Sequence, residues 1–207
     1  MAGKLLAEVL KKRRFDRPIV LGLPSGGVVV AAEVAAALGA ELGVVVSSRL
    51  VAPYQPELVI GAVTADGIAY VDPTLAEEVG ANRHYLLEEQ SRQAKEARLR
   101  QNELDGRRSY RLEERDVLVV DQGLTTGATT IAAVRLAKSA GAARVVVAVP
   151  VAPPDALRKL EREADEVVCL VEHSKFLTVS QFYDDFRPID DAQVRVLLSS
   201  HKASPPD

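Results

Sequence analysis

The stretch that decides the fold reads VLVVDQGLTTGATT and covers residues 117–130. It begins with four consecutive apolar residues, which is typical of a strand covered on both faces, as in a parallel sheet. An acid, Asp121, stands at the tip of this strand, and a short loop then leads into Thr129–Ala140, where apolar residues recur at helical spacing. The stretch therefore predicts a strand, a tight loop and a helix of an α/β fold.

The loop itself predicts a phosphate site. Gly123 and Gly127 permit tight or left-handed backbone, and the free N–H groups and dipole at a helix start attract an anion. Threonine hydroxyls add donors, and Asp121 can accept hydrogen bonds from a sugar hydroxyl. The alternative left open is an ordinary turn with an N-capping threonine. The expected ligand-binding residues are Gln122, Gly123, Leu124, Thr125, Thr126, Gly127, Ala128 and Thr129.

Other phosphate and cofactor motifs fit this loop less well. A P-loop has four residues between its glycines and a lysine after the second, whereas three residues separate Gly123 from Gly127 and no lysine follows. The dinucleotide fingerprint needs a G-x-G spacing that is missing. A nucleoside-binding methyltransferase is disfavoured because the loop is filled with threonine, which suits phosphate better than an adenosyl group.

The rest of the chain repeats the same alternation. Helices are expected at Val28–Leu38, Thr129–Ala140 and Asp155–Ala164, between apolar runs that predict strands. This alternation implies right-handed crossovers and a doubly wound, mainly parallel sheet with helices on both faces. The predicted strands are Ile19–Leu23, Leu42–Ser47, Leu58–Thr64, Val117–Asp121, Arg144–Val151 and Glu166–Val171.

Three segments depart from the alternation within a single expected domain, residues 1–207. Asp66-Gly67 separates Leu58–Thr64 from Ile68–Val71 and predicts an antiparallel hairpin. Residues 82–111 form a charged helical arm whose basic residues are either a solvated face or a contact to an anionic ligand. Residues 174–200 are expected to form a C-terminal cap, with 201–207 a disordered tail. The basic residues of the arm are Arg92, Lys95, Arg98, Arg100, Arg107, Arg108 and Arg111.

Composition excludes several classes of function. The net charge of −3 gives no electrostatic case for nucleic acid. The only cysteine, Cys169, lies in an apolar run and is expected in the core, and the scattered histidines give no metal-ligand spacing. No apolar stretch reaches the roughly 20 residues that span a bilayer, and the N-terminus lacks a signal-peptide pattern. We expect a cytoplasmic protein without a protein-held metal, a membrane or a nucleic-acid partner.

A second loop, LPSGG at residues 23–27, follows the first predicted strand. Together with the loop after residue 120, it carries a specific resemblance. VVDQGLTTGAT resembles the phosphoribosyl-pyrophosphate (PRPP) motif of type I phosphoribosyltransferases, which has four apolar residues, two acids and a small-residue loop. LPSGGVVVA, APYQPELVIGAV and FYDDF resemble segments of an uncharacterised prokaryotic subgroup, in that subgroup's order. The resemblance covers residues 18–198 and implies that family's fold with a small cap or hood.

The resemblance also implies roles. Thr125 to Thr129 would cradle the ribose 5′-phosphate, and Asp121 would bind a ribose hydroxyl and stabilise positive charge on the ribose ring. Ser25, Gly26 and Gly27 would contact pyrophosphate, with Arg49 meeting it from the other side. Mg²⁺ would bridge pyrophosphate and ribose hydroxyls, and catalysis would consist of positioning and charge stabilisation.

The chain departs from the family pattern where pyrophosphate and metal are expected. Gln122 stands for the second acid, Ser25 for an arginine, and Ser48-Arg49 for an arginine-lysine pair. Each lost charged hydrogen bond is worth roughly 1.5–3 kcal/mol, so PRPP affinity should fall unless the arm around Arg107–Arg111 compensates. Thr125, where some 6-oxopurine enzymes carry an acid, counts against that substrate branch.

The sequence is therefore compatible with two functions. The first is a phosphoribosyltransferase that uses PRPP and a nucleobase or an amine, and the second is a non-catalytic protein that binds a nucleotide or sugar phosphate. The acceptor is not named by any motif; the aromatic segment around Phe182-Tyr183 is only a candidate stacking surface. The oligomeric state is left open, with a homodimer as one option.

Overall fold

The computed structural model describes residues 1–106, 108–175 and 178–201. Arg107 of the basic arm, Phe176 of the cap and residues 202–207 of the expected tail lie outside the described residues. In chain order the elements are α1 (Ala2–Leu10), β1 (Ile19–Gly22), α2 (Gly26–Leu38), β2 (Glu41–Val44), β3 (Ser47–Ala52), β4 (Gln55–Thr64), β5 (Ala69–Val71), α3 (Pro73–Glu78), α4 (Arg83–Asp105), β6 (Asp116–Val120), α5 (Ala128–Ser139), β7 (Arg144–Ala152), α6 (Pro154–Leu160), β8 (Glu166–Glu172), a 3₁₀ turn (Val179–Phe182) and α7 (Asp191–Ser200).

The main sheet is parallel and has the strand order β2-β1-β6-β7-β8. Its apolar strands bury both faces: Val117 and Val119 of β6 pack in the cluster that contains α5 and α6, while Leu118 and Val120 pack in the cluster with α1, α2 and α7. The doubly wound α/β prediction is confirmed. The strand order reverses between β1 and β6, and ligands in such sheets bind beyond the carboxyl ends of the strands at this point.

A second, three-stranded antiparallel sheet with the order β3-β4-β5 forms the hood. The predicted hairpin is confirmed, because β4 and β5 pair around Asp66-Gly67 and Gly67 adopts a φ of 85°. Ser47 Oγ donates to the main-chain oxygen of Thr129 at 3.2 Å. This bond holds the start of β3 against the first turn of α5, so the hood stands beside the loop that follows β6.

The prediction of one strand over Leu42–Ser47 is wrong, because β2 ends at Val44 and β3 begins at Ser47. The two residues at the break, Val45 and Val46, are β-branched and favour a strand, so the pattern gives no sign of the break. The break is stabilised from a distance by Gln101 of α4, whose amide accepts from Val46 N–H at 2.8 Å and donates to Val44 O at 2.9 Å. A contact between residues so far apart in the chain leaves no local trace in the sequence.

The helices also differ from expectation in places. The helix expected at Asp155–Ala164 ends at Leu160, because the following residues turn back to deliver β8; Ala164 N–H bonds to Leu160 O at 2.8 Å. The amphipathic α1 and the short α3 were not predicted. The C-terminal segment does more than cap one end of the sheet, since Val194 and Leu198 of α7 pack into the same core as α2.

The arm is a helix, α4, capped at its start by the Asn82 side chain and ended by Gly106. Its Ala97 and Leu104 are buried against the main core, and its other face is charged. Across the described ranges, no helix has both the length and the apolar character that crossing a membrane requires.

Candidate functional site

A cavity of about 290 Å³ opens at the carboxyl ends of β1 and β6, where the strand order reverses. The main sheet supplies the two loops, the hood supplies β3 and β4, and α4 and the C-terminal segment complete the wall. The lining residues are Leu23, Pro24, Ser47, Arg49, Val59, Arg100, Val179 and residues 121–129. All residues of the predicted phosphate loop, 121–129, therefore line the cavity.

Several backbone N–H groups of the phosphate loop, which lines this cavity, lack an acceptor among the described residues. Within the described part of the chain, the N–H groups of Thr125, Thr126, Gly127 and Thr129 have no hydrogen-bond acceptor. Gly127 stands just before α5 with a φ of 76°, a left-handed conformation that favours glycine. The Thr125 and Thr126 side chains are exposed. Four free amides at the start of a twelve-residue helix form a cradle for an anion.

The loop is held in place from behind by β7 and the C-terminal segment. Leu124 N–H donates to Val151 O at 3.0 Å. A Cβ at Gly123 would lie 2.7 Å from Val179 Cγ1 and 2.9 Å from Val151 Cγ1. Glycine is therefore required here by close packing.

Asp121 lies between the phosphate loop and the hood. Its Oδ1 accepts the Gln122 N–H at 2.7 Å. Burial raises the pKa of Asp121 to about 7, while the Gln122 hydrogen bond and the charge of Arg49 oppose that rise. The carboxylate is partly open to the cavity, so a hydroxyl donor or a cation that enters the site would favour its charged form.

The loop after β1 runs into α2, with Ser25 at the N-cap and Gly26 and Gly27 in the first turn. The Pro24–Ser25 peptide is cis. A Cβ at Gly27 would lie 3.0 Å from both Asp121 Cα and Val120 O, so glycine allows the two loops to touch. The Gln122 side chain lies over Gly26, where a Cβ would fall 1.4 Å from its Oε1. Ser25 and Gly26 line an adjoining groove of about 410 Å³.

Arg49 reaches the cavity from β3 of the hood. Its charge acts on Asp121. The structure therefore brings Arg49, Asp121 and the phosphate loop to one cavity, while Ser25 and Gly26 lie at its border with the adjoining groove.

Arg100 is a lining residue that sequence reasoning missed. Its Nη2 donates to Ser25 Oγ at 2.9 Å and to Asp191 Oδ1 of α7 at 3.0 Å. Of the described residues in the part of the arm expected to compensate, Arg108 pairs with Glu41 at 2.6 Å, and the Arg111 side chain is exposed. The excess of basic residues in the arm did not tell which arginine would reach the cavity.

Tyr183 is a second residue whose part was missed. Its hydroxyl donates to the Gln122 main-chain oxygen at 2.5 Å, and its ring centroid lies 5.4 Å from that of Phe186. Burial, with the nearby Asp121 charge, raises the pKa of Tyr183 to about 12. Tyr183 thus fastens the C-terminal segment to the phosphate loop, while one face of the segment lines the adjoining groove.

The sequence matches known proteins over most of its length. Residues 2–187 match the family model described as the phosphoribosyl transferase domain. In two strains of Mycobacterium tuberculosis, a protein named provisionally as a phosphoribosyl transferase is 38% identical in an alignment of 205 positions that covers 95% of this chain. The chain spans only 45% of the length of that relative.

Solved structures show the same architecture. The crystal structure of TT1426 from Thermus thermophilus has a TM-score of 0.82 and 40% identity, covering 98% of this chain and 96% of that one. A purine phosphoribosyltransferase from Pyrococcus horikoshii has a TM-score of 0.50 at 17% identity, covering 91% of this chain and 90% of its own. At that identity the likeness concerns the fold alone.

Proposed function

Because this chain belongs to the phosphoribosyl transferase domain family, we propose that it binds PRPP and transfers the phosphoribosyl group. The acceptor or donor is a nucleobase or an amine, and pyrophosphate is exchanged. The observation that carries the proposal is that the N–H groups of Thr125, Thr126, Gly127 and Thr129, which have no acceptor among the described residues, belong to residues that line a cavity beside Asp121.

The phosphate loop suits a phosphate monoester. A dianion at the start of α5 would accept hydrogen bonds from the free amides and from the exposed hydroxyls of Thr125 and Thr126. The amide donors are fixed by the backbone, so little reorganisation is needed when the ligand enters. The ribose would then extend toward Asp121, which lines the same cavity.

Asp121 would stabilise the reacting sugar. In the proposed transfer the bond between ribose C1 and the pyrophosphate oxygen breaks, and pyrophosphate leaves with the electron pair. The acceptor nitrogen bonds to C1 and releases its proton. Positive charge on the ribose ring during this exchange favours a nearby carboxylate. Since the pKa of Asp121 is raised to about 7, the charged form needed for this role grows as the pH rises through neutrality.

A magnesium ion fits the site only if the ligand brings most of its oxygen donors. Asp121 is the one acidic side chain among the described residues that line the cavity, and those residues include no group of three or more His, Cys, Asp or Glu placed to hold a metal. Mg²⁺ coordinates oxygens of phosphates together with one or two carboxylates. Asp121 would contribute the carboxylate, and the ion would neutralise the leaving pyrophosphate.

A second candidate is a non-catalytic protein that binds a nucleotide or sugar phosphate. It is favoured by Gln122, whose uncharged amide lies over Gly26 where a second carboxylate would help to bind a metal. Such a protein would still bind a phosphate at this loop, but it would need neither magnesium nor pyrophosphate.

Titration calorimetry with PRPP and with adenosine monophosphate, each with and without Mg²⁺, separates the two candidates. PRPP binding that depends on magnesium supports the transferase. Binding of the monophosphate with the same affinity with and without magnesium, and no binding of PRPP, supports the second candidate. Thr126→Val should weaken both ligands by roughly five- to tenfold, the worth of one hydrogen bond. Thr74→Val, at an exposed position on α3, is the matched control. If Thr126→Val binds both ligands as the wild type does, the Thr126 hydroxyl does not contact the phosphate.

A further inference from the structure

We propose that Arg100 of α4 binds the pyrophosphate group of the ligand, together with Arg49 of β3. This inference rests on the proposed function and adds a residue to it. A pyrophosphate group carries several negative charges, yet the loop that follows β1, residues 23–27, contains no cationic side chain. Arg100 brings a guanidinium to this loop from a helix that lies far away in the sequence.

The geometry places Arg100 at the loop. It lines the cavity, and its Nη2 bonds to Ser25 Oγ at 2.9 Å. Ser25 stands at the N-cap of the thirteen-residue α2, where the helix dipole also favours an anion. The guanidinium and the first turn of α2 therefore act on the same end of the cavity.

Most of the guanidinium donors remain available to a ligand. The Arg100 side chain is 42% exposed to solvent. Among the described residues, only its Nη2 has acceptors, Ser25 and Asp191, while Nε and Nη1 donate to none of them. An arginine presents up to five N–H donors in a rigid fork that matches phosphate oxygens, so it can keep its present contacts and still bind an anion.

Asp191 is the positioning residue for Arg100. It lies in the first turn of α7, next to Asp190, whose side chain accepts the Gln193 N–H at 2.7 Å and completes a capping box. The cap fixes the start of α7, and the 3.0 Å bond from Arg100 to Asp191 Oδ1 then limits the rotamers of the arginine. The C-terminal helix thereby supports the pyrophosphate end of the cavity without entering it.

The test is Arg100→Gln, titrated with pyrophosphate, PRPP and adenosine monophosphate, all in the presence of Mg²⁺. We expect a roughly 10- to 100-fold loss of affinity for pyrophosphate and PRPP, the worth of one or more charged hydrogen bonds. Affinity for the monophosphate should stay within about twofold, since the phosphate loop is untouched. Arg100→Lys should recover part of the loss, because it restores charge without the fork.

Lys95→Ala is the matched control, because it removes one positive charge from an exposed position of the same helix. It should bind all three ligands as the wild type does. Thermal unfolding of each variant shows whether the fold is kept.

Two results would overturn the inference while the proposed function stands: wild-type pyrophosphate affinity in Arg100→Gln, or an equal loss for the monophosphate, which would indicate a merely structural role. If the wild-type protein itself binds neither PRPP nor pyrophosphate, both the inference and the proposed transfer fail.

Discussion

The two walls of the cavity differ in how much of the chain each one uses. The phosphate wall is a single stretch, residues 121–129, between β6 and α5. The opposite wall is assembled from four segments: the loop after β1, Arg49 of β3, Arg100 of α4 and, behind it, Asp191 of α7. One wall is local in sequence and the other is made by tertiary structure.

The difference explains what each wall can tolerate. Backbone amides form most of the phosphate wall, so its donors survive many side-chain substitutions as long as the glycines are kept. The opposite wall depends on side chains that arrive from separate elements, so a cation can move from the loop to a helix without loss of the site. Compared with the family pattern that the sequence resembles, the loop after β6 keeps its glycines and differs at Gln122, and the loop after β1 differs at Ser25.

The largest expected effect is at Gly27, where the two walls touch. In Gly27→Val the new Cβ would lie 3.0 Å from Asp121 Cα and Val120 O, and further methyl groups would push α2 away from β6. Overpacking of this kind costs about 1–3 kcal/mol, and both pyrophosphate and ribose 5-phosphate should bind more weakly. Urea unfolding and calorimetry measure the two consequences.

Gly39→Asn is the control for this experiment. Gly39 is also at a helix terminus, but it has open space around it and a φ of 61° that asparagine tolerates. Its free energy of unfolding should stay within about 0.5 kcal/mol of the wild type. Equal stability of Gly27→Val and the wild type would mean that the walls do not meet at this point.

An intermediate effect is expected at Asp121, through its dependence on pH. Burial raises the folded pKa from 3.8 to about 7, so the folded state binds more protons than the unfolded state between these values. The contribution of this group to stability is therefore present at low pH and is lost as the pH rises toward 7.

Asp121→Asn removes this titration. Urea unfolding between pH 4 and 8 should show the variant gaining stability relative to the wild type as the pH rises, with the gain levelling off above about 7. A difference that stays constant with pH would mean that the Asp121 pKa is not raised. Thr74→Val changes no ionisable group, lies at an exposed position of α3, and is the control that should parallel the wild type across this pH range.

The smallest expected effect is at Tyr183, which joins the C-terminal segment to the phosphate wall. Tyr183→Phe removes the 2.5 Å hydrogen bond to Gln122 O, which should lower the free energy of unfolding by about 1 kcal/mol. Tyr54→Phe changes a fully exposed tyrosine and should have no effect. An unchanged stability in Tyr183→Phe would remove this tether from the account.

The same contrast between local and assembled parts decides what the sequence could predict. The buried strand β6, its loop and the start of α5 depend on neighbouring residues, so their pattern was sufficient to predict them within about one residue. The break between β2 and β3 depends on Gln101 of α4 and gave no local signal. Arg100 gave no local signal either. It lines the cavity, unlike the other basic residues of α4, because of the way α4 packs against the rest of the fold.

The proposed site depends on amides at the start of α5 that bind a phosphate dianion. The most direct test is a ¹⁵N-labelled sample titrated with ribose 5-phosphate, which carries neither a base nor pyrophosphate. The largest amide shifts are predicted at Thr125, Thr126, Gly127 and Thr129, with small shifts at Gly26 and Gly27. Saturable binding that leaves these four amides unmoved would contradict the claim.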